Sequence, residues 1–162
     1  MKIGNREFQE SGKTYVCGIL NVTPDSFSDG GKWVEQDKAL FHVEEMIKDG
    51  MDLLDRPGYR LLSCEEELER VLPVIEAVKK RFDVPVSLDT YKPEVAEEGV
   101  KAGIDFINDI WGLKWDKRMA DVIAKSGLPC CLMHNRKEAV YNDFIADVIA
   151  DMKECVQIAR AS

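Results

Sequence analysis

No apolar run in this chain approaches the roughly 18 consecutive residues that a membrane-spanning helix requires, and no basic-plus-apolar leader stands before the first strand-like segment. These two absences predict a cytoplasmic protein with no membrane partner. Basic residues are also in short supply: 22 Lys and Arg against 30 Asp and Glu leave a net charge of −8. A field of that sign repels polyanions and excludes nucleic acid as the expected partner. Any phosphorylated ligand must then be held by local donors, a helix N-terminus or a metal ion. The five cysteines (Cys17, Cys64, Cys130, Cys131, Cys155) include no C-x-x-C pair and are odd in number. That pattern offers no redox or paired-thiolate metal motif and predicts reduced thiols packed in apolar runs. A linker, a low-complexity tract and an internal repeat are missing too, so residues 1–162 read as one domain.

What is present is a globular composition, 45% apolar and 32% charged. Short apolar runs alternate with longer amphipathic ones from end to end, the pattern of βα units built on a buried parallel sheet. Strands are predicted at Tyr15–Asn21, Met51–Asp55, Pro85–Asp89, Asp105–Ile110 and Pro129–His134. Between them lie helical spacings, Leu40, Val43 and Ile47 in one segment and Leu68, Val71, Ile75 and Val78 in the next. A last periodic stretch carries Phe144, Ile145, Val148, Ile149, Met152 and Val156. Ser63-x-x-Glu66 has the form of a capping box, Pro93 suits a first helical position, and Gly50, Gly103 and Gly127 stand where helices should stop. Pro73, inside the second helix, breaks the local rule. Met1–Gly12 reads as a short strand and turn that could form a hairpin with the adjoining residues and cover one end of the barrel. Five βα units are legible, whereas a complete (β/α)8 barrel takes about 250 residues.

In a parallel α/β arrangement the strand C-termini share one edge, so residues ending successive strands converge there. Here those ends are polar: Asn21, Asp55, Asp89, Asn108 with Asp109, and His134 with Asn135. Any single Asp or Asn at such a place serves equally well to cap a helix or satisfy a turn. Five in succession point to a polar pocket for a ligand rich in hydrogen bonds. Residues 22–34 form a connection longer than the usual two to six, with Asp25, Asp29 and two glycines, as expected of a binding loop. Asn21, Asp25 and Asp29 offer hard oxygens of the kind Mg²⁺ accepts beside substrate phosphates. His134 is as consistent with a hydrogen-bonded wall residue as with a functional group, and His42 lies on a helix face.

Five segments in order resemble the successive signatures of dihydropteroate synthases. They are the decapeptide Gly18-Ile19-Leu20-Asn21-Val22-Thr23-Pro24-Asp25-Ser26-Phe27, then Arg56-Pro57-Gly58-Tyr59, Ser87-Leu88-Asp89-Thr90-Tyr91-Lys92, Ile107-Asn108-Asp109-Ile110 and Leu132-Met133-His134-Asn135-Arg136. The resemblance implies a TIM (β/α)8 barrel of the pterin-binding type. It also implies the condensation of dihydropterin pyrophosphate with p-aminobenzoate to dihydropteroate and pyrophosphate, in a family that sulfonamides inhibit. By the same resemblance, Asp89 (also the catalytic group) and Asn108 hydrogen-bond the pterin, and Ile110 and Met133 line its slot. Asn21 helps hold Mg²⁺, and Phe27, Ser28, Arg56 and Pro57, on the first two loops, close over p-aminobenzoate. A homodimer is the assembly the family implies.

The chain departs from the family pattern at two places. Asp55 is followed directly by Arg56, where the family carries a stretch containing Gly-Gly-Glu-Ser-Thr, and the signatures of the sixth to eighth strands are absent. The sequence is therefore expected to be a fragment, or to have been closed over a gap at Asp55. Two other readings share the Asp89 and Asn108 strand ends: a truncated noncatalytic pterin-binding homologue, and the pterin domain of a methyltetrahydrofolate-dependent methyltransferase.

Overall fold

The computed structural model describes residues 1–21, 32–57 and 62–162. Five strands, β3 (Cys17–Ile19), β4 (Leu53–Pro57), β5 (Val86–Asp89), β6 (Phe106–Asp109) and β7 (Cys130–Leu132), form one parallel sheet in chain order. Four connecting helices alternate with them: α1 (Lys32–Lys48), α2 (Cys64–Arg81), α3 (Pro93–Lys101) and α4 (Arg118–Ser126). α5 (Phe144–Ala161) comes after the last strand. Because every strand pairs with its sequence neighbour and successive helices pack on one another, the helices form a single outer layer, the arrangement of a (β/α)8 barrel. β3 and β7 do not pair among the described residues, so the barrel is open.

Side-chain parity explains which face is buried. Leu54, Val86, Leu88 and Ile107 point into the helix layer, and each is 1% exposed or less. They meet Val43 of α1 and Val71, Ile75 and Val78 of α2. Gly99 allows α3 to come close, since a Cβ there would lie 2.5 Å from Leu88 Cδ2. The opposite, inner face is the one left open, with Ile19 and Met133 at 57% and 42% exposed. Cys17 and Cys131 are exposed as well, and only Cys155 is buried, which corrects the expectation of core thiols.

The helix signals hold. Ser63 Oγ accepts from Glu66 N and Glu66 returns a carboxylate to Ser63 N, while Pro93 stands in the first turn of α3. Gly127 caps α4 at φ 67°. Pro73 sits inside α2 on its exposed side, where its carbonyl accepts a hydrogen bond from Gln36. The N-terminal hairpin is narrower than expected, formed within the first residues by β1 (Lys2–Ile3) and β2 (Arg6–Glu7). Ile3 and Phe8 pack with Phe106 at the N-terminal end of the sheet, away from the polar edge. The stripe of α5 departs more sharply. Phe144, Ile145, Ile149 and Val156 are 41 to 63% exposed, and Cys155 is the helix's buried residue.

Candidate functional site

Two of the expected ligand-binding residues are brought side by side. Asp89 ends β5, Asn108 stands one residue before the end of β6, and the ladder pairs them directly. Adjacent strands lie about 4.8 Å apart, so the carboxylate and the amide project from neighbouring backbones on the inner face. Both are half-buried. Asp89 has Pro57 of β4 as its other neighbour and Asn108 has Cys131 of β7.

The next residue, Asp109, is spent on structure. Its carboxylate accepts from Trp111 N at 2.8 Å and Leu113 N at 2.7 Å, closing the turn after β6. Burial pushes its carboxyl above the usual carboxylate range, against the pull of these backbone N–H groups. The turn forces Leu113 to φ 68°, an unfavourable region for a branched side chain, and burial of Leu113 and the Asp109 bonds hold it there. Ile110 leads into this turn, and Met133 N donates to Asp109 O at 3.1 Å, so the two apolar residues expected to line the slot are anchored to one carboxylate-closed turn.

Arg56 and Pro57 lie elsewhere than expected. They continue β4 without interruption, opposite Leu88 and Asp89, instead of beginning a loop. Alternation then places Arg56 on the face of Leu54, toward the helices, and it is 1% exposed. The physical reason is that Asp55 is followed directly by Arg56, so the chain passes straight along the ladder. Asp55 is mid-strand, its carboxyl raised by burial against a bond from Ser87 and the charge of Arg56. Phe27, Ser28, Asp25, Asp29, Gly58 and Tyr59 lie outside the described residues.

Asn21 stands exposed two residues past the end of β3, on the same edge. Its amide oxygen is a hard donor of the kind Mg²⁺ accepts beside waters and phosphate ligands. Among the described residues there is no group of three or more His, Cys, Asp or Glu able to hold a metal by themselves.

Sequence reasoning missed the support behind Asp89. Glu67 of α2 is 1% exposed and accepts from Thr90 Oγ1 at 3.1 Å and from Lys92 Nζ. Lys92 Nζ also donates to Leu62 O at 2.8 Å, tying the chain before α2 to the chain after β5. A glutamate on the Val71–Ile75–Val78 stripe was the available signal, because a charge on a buried helix face needs a partner. Tyr91, after β5, meets Trp111 and Trp115, after β6, with ring centroids 5.0 to 6.5 Å apart and the tyrosine edge-on. Trp111 and Trp115, with Lys114 and residues 135–138, border a cavity of about 450 Å³.

His134 proves to be a hydrogen-bonded wall residue, its Nε2 2.8 Å from Asp151 Oδ2. His42 lies exposed on α1. The arrangement as a whole can hold a planar ligand with donors and acceptors along one edge, Asp89 and Asn108 reading that edge and apolar side chains covering its faces.

Known proteins resemble this chain in sequence and in fold. The chain is 54% identical over 166 positions to a dihydropteroate synthase of Clostridium beijerinckii, covering 99% of this chain and 62% of that protein. It is 55% identical to one of Bacillus subtilis, covering 91% and 54%. The chain thus spans a little over half the length of these curated relatives. The 166 aligned positions exceed the 162 residues present, so the relative carries residues that this chain lacks within the matched region. Among solved structures, a Clostridium difficile dihydropteroate synthase crystallised in the presence of pteroic acid superimposes with a TM-score of 0.84 at 41% identity, covering 99% of this chain and 61% of that one. A Yersinia pestis dihydropteroate synthase in complex with a sulfonamide drug gives 0.85 at 38%, covering 99% and 62%. Residues 17–162 match the family described as pterin binding enzyme, and with the strand-end geometry above this chain belongs to that family.

Proposed function

We propose that this chain provides the pterin-binding part of a dihydropteroate synthase. The observation that carries the reading is the direct pairing of Asp89 with Asn108 at the C-terminal edge of the sheet, in a chain whose relatives bear that name. Those names favour the synthase over a methyltransferase domain.

Asp89 and Asn108 bind the pterin edge, and Ile110 and Met133 cover its faces. The amine nitrogen of p-aminobenzoate forms a bond to the exocyclic methylene as the carbon–oxygen bond to pyrophosphate breaks, and the amine proton passes to solvent. Positive charge that develops on the dihydropterin is stabilised by the half-buried carboxylate of Asp89, whose backbone is held by the ladder. Asn21 would help hold Mg²⁺, and the ion would supply charge neutralisation for the pyrophosphate. Phe27, Ser28 and Pro57 are assigned to the p-aminobenzoate side, while Arg56 lies on the helix-layer face of β4. A cytoplasmic homodimer is the setting that goes with this reading. Among the described residues, no helix is long and apolar enough to cross a membrane.

The test is incubation of the protein with dihydropterin pyrophosphate, p-aminobenzoate and Mg²⁺, with dihydropteroate and pyrophosphate measured together. Equimolar appearance of both supports the synthase. Pterin binding without product assigns a noncatalytic binding role, and failure of both overturns the proposal.

A further inference from the structure

We infer that Asp151, on α5, is a positioning residue for the pterin slot, holding the chain after β7 so that Met133 and Ile110 keep their places. The inference rests on the pterin reading above and adds to it a residue outside the strand ends.

α5 is held to the rest of the molecule by charge as well as by apolar packing of Cys155 and Ile158. Cys155 is its buried side chain, while Ile145, Ile149 and Val156 stay exposed. Asp147, Asp151 and Cys155 lie four residues apart and so share one face of the helix. On that face Asp151 Oδ2 is 2.8 Å from His134 Nε2 and accepts from Arg136 Nε at 2.6 Å, and Lys114 Nζ stands 3.9 Å from Oδ1. Asp147 adds a second contact to Arg136 at 3.5 Å. Three basic side chains from two different strand-end loops therefore converge on one carboxylate.

In extended chain, residues two apart share a side and the residue between them points the other way. His134 and Arg136 face Asp151, and Asn135 between them donates Nδ2 to the Ile110 carbonyl at 3.0 Å. Met133 N donates to Asp109 O. Fixing residues 134 and 136 thus fixes the bond that Asn135 makes to Ile110. The fit is close: a Cβ on Gly112 would lie 2.6 Å from Cys155 Sγ and 2.9 Å from the Met133 carbonyl oxygen. Arg136 and His134 hold the Asp151 carboxyl down to about 2, so the latch is charged at any working pH.

The experiment is calorimetric titration with dihydropterin pyrophosphate and Mg²⁺ of the parent, Asp151→Asn, Asn135→Ala, the double variant and Val78→Ala. Val78 is fully buried in the helix layer, away from the strand ends, and reports general destabilisation. Asp151→Asn and Asn135→Ala are each expected to weaken binding roughly tenfold, the affinity equivalent of one charge-assisted hydrogen bond. The double variant should be little weaker than either, because both act through one latch. Val78→Ala should lower the melting temperature and leave the affinity unchanged. Parent-like affinity in Asp151→Asn, full additivity in the double variant, or equal weakening by Val78→Ala overturns the inference. A parent that binds no pterin overturns the pterin reading instead, so the two failures are distinct.

Discussion

Replacing Lys92 by Met would leave a carboxylate that is 1% exposed without its cation. Glu67 keeps the Thr90 hydroxyl at 3.1 Å, and Leu62 loses the donor to its carbonyl. The Lys92 side chain is itself only 11% exposed, so water does not reach the pair freely and solvent screening is small. Breaking a buried ion pair by removing one partner costs about 3–5 kcal/mol, whereas replacing both partners by neutral groups of similar volume is often close to neutral. Urea unfolding of a domain of this size has a slope of about 1–3 kcal/mol/M, so the midpoint should fall by roughly 2 M. Glu67→Gln combined with Lys92→Met keeps an acceptor for Thr90 and removes the stranded charge, and it should recover most of that loss. The measurement is equilibrium urea unfolding followed by far-ultraviolet circular dichroism. A single variant within about 1 kcal/mol of the parent, or a double variant no better than the single, would refute the reasoning that desolvation dominates here.

Three further outcomes rest on particular contacts. The Asp151 carboxyl is lowered from 3.8 to about 2, first by Arg136 and then by His134. A lowered folded-state value gives stability that is complete above 3.8 and is lost as pH falls through about 2. Parent stability, measured by urea midpoints against pH, should therefore fall across that window more steeply than that of Asp151→Asn; parallel curves would contradict the assignment. Gly99→Val places atoms where Leu88 Cδ2 would be 2.5 Å and Ile104 Cδ1 3.2 Å from the new Cβ. Overpacking of this kind costs about 1–3 kcal/mol, and an unchanged thermal midpoint would show that α3 can move away from β5 freely. Ser63→Ala removes the side-chain half of the capping box on α2 and should cost about 1 kcal/mol by the same melts, with a loss near zero counting against the cap.

Much of the fold was legible because the sheet is buried by a regular pattern. Val86–Leu88 and Phe106–Ile107 are short apolar runs in a parallel ladder, and Ser63, Pro93 and Gly127 mark helix ends by local rules that tertiary contacts had no cause to override. The pairing of Asp89 with Asn108 was legible for the same reason, since strand ends in such a sheet share one edge. Arg56 was not. A five-residue strand from Leu53 to Pro57 carries it past the expected loop boundary, and parity then sends its side chain to the helix side. The apolar stripe of α5 predicted burial that the structure does not supply, because periodicity says which face is apolar and nothing about what covers it. Glu67, Lys92 and Asp151 were hidden for a related reason. Each acts through a partner 15 to 25 residues away, and spacing alone does not reveal such pairs.

The central claim is that the paired strand ends form a pterin site, and the most direct test is calorimetric titration of the parent and Asp89→Asn with dihydropterin pyrophosphate and Mg²⁺. The account predicts saturable binding of one pterin per chain by the parent. It predicts at least a roughly tenfold loss in Asp89→Asn, where a carboxylate that hydrogen-bonds the ring becomes an amide with the wrong donor pattern. Binding of equal strength by the parent and Asp89→Asn, or no binding by the parent, would contradict it.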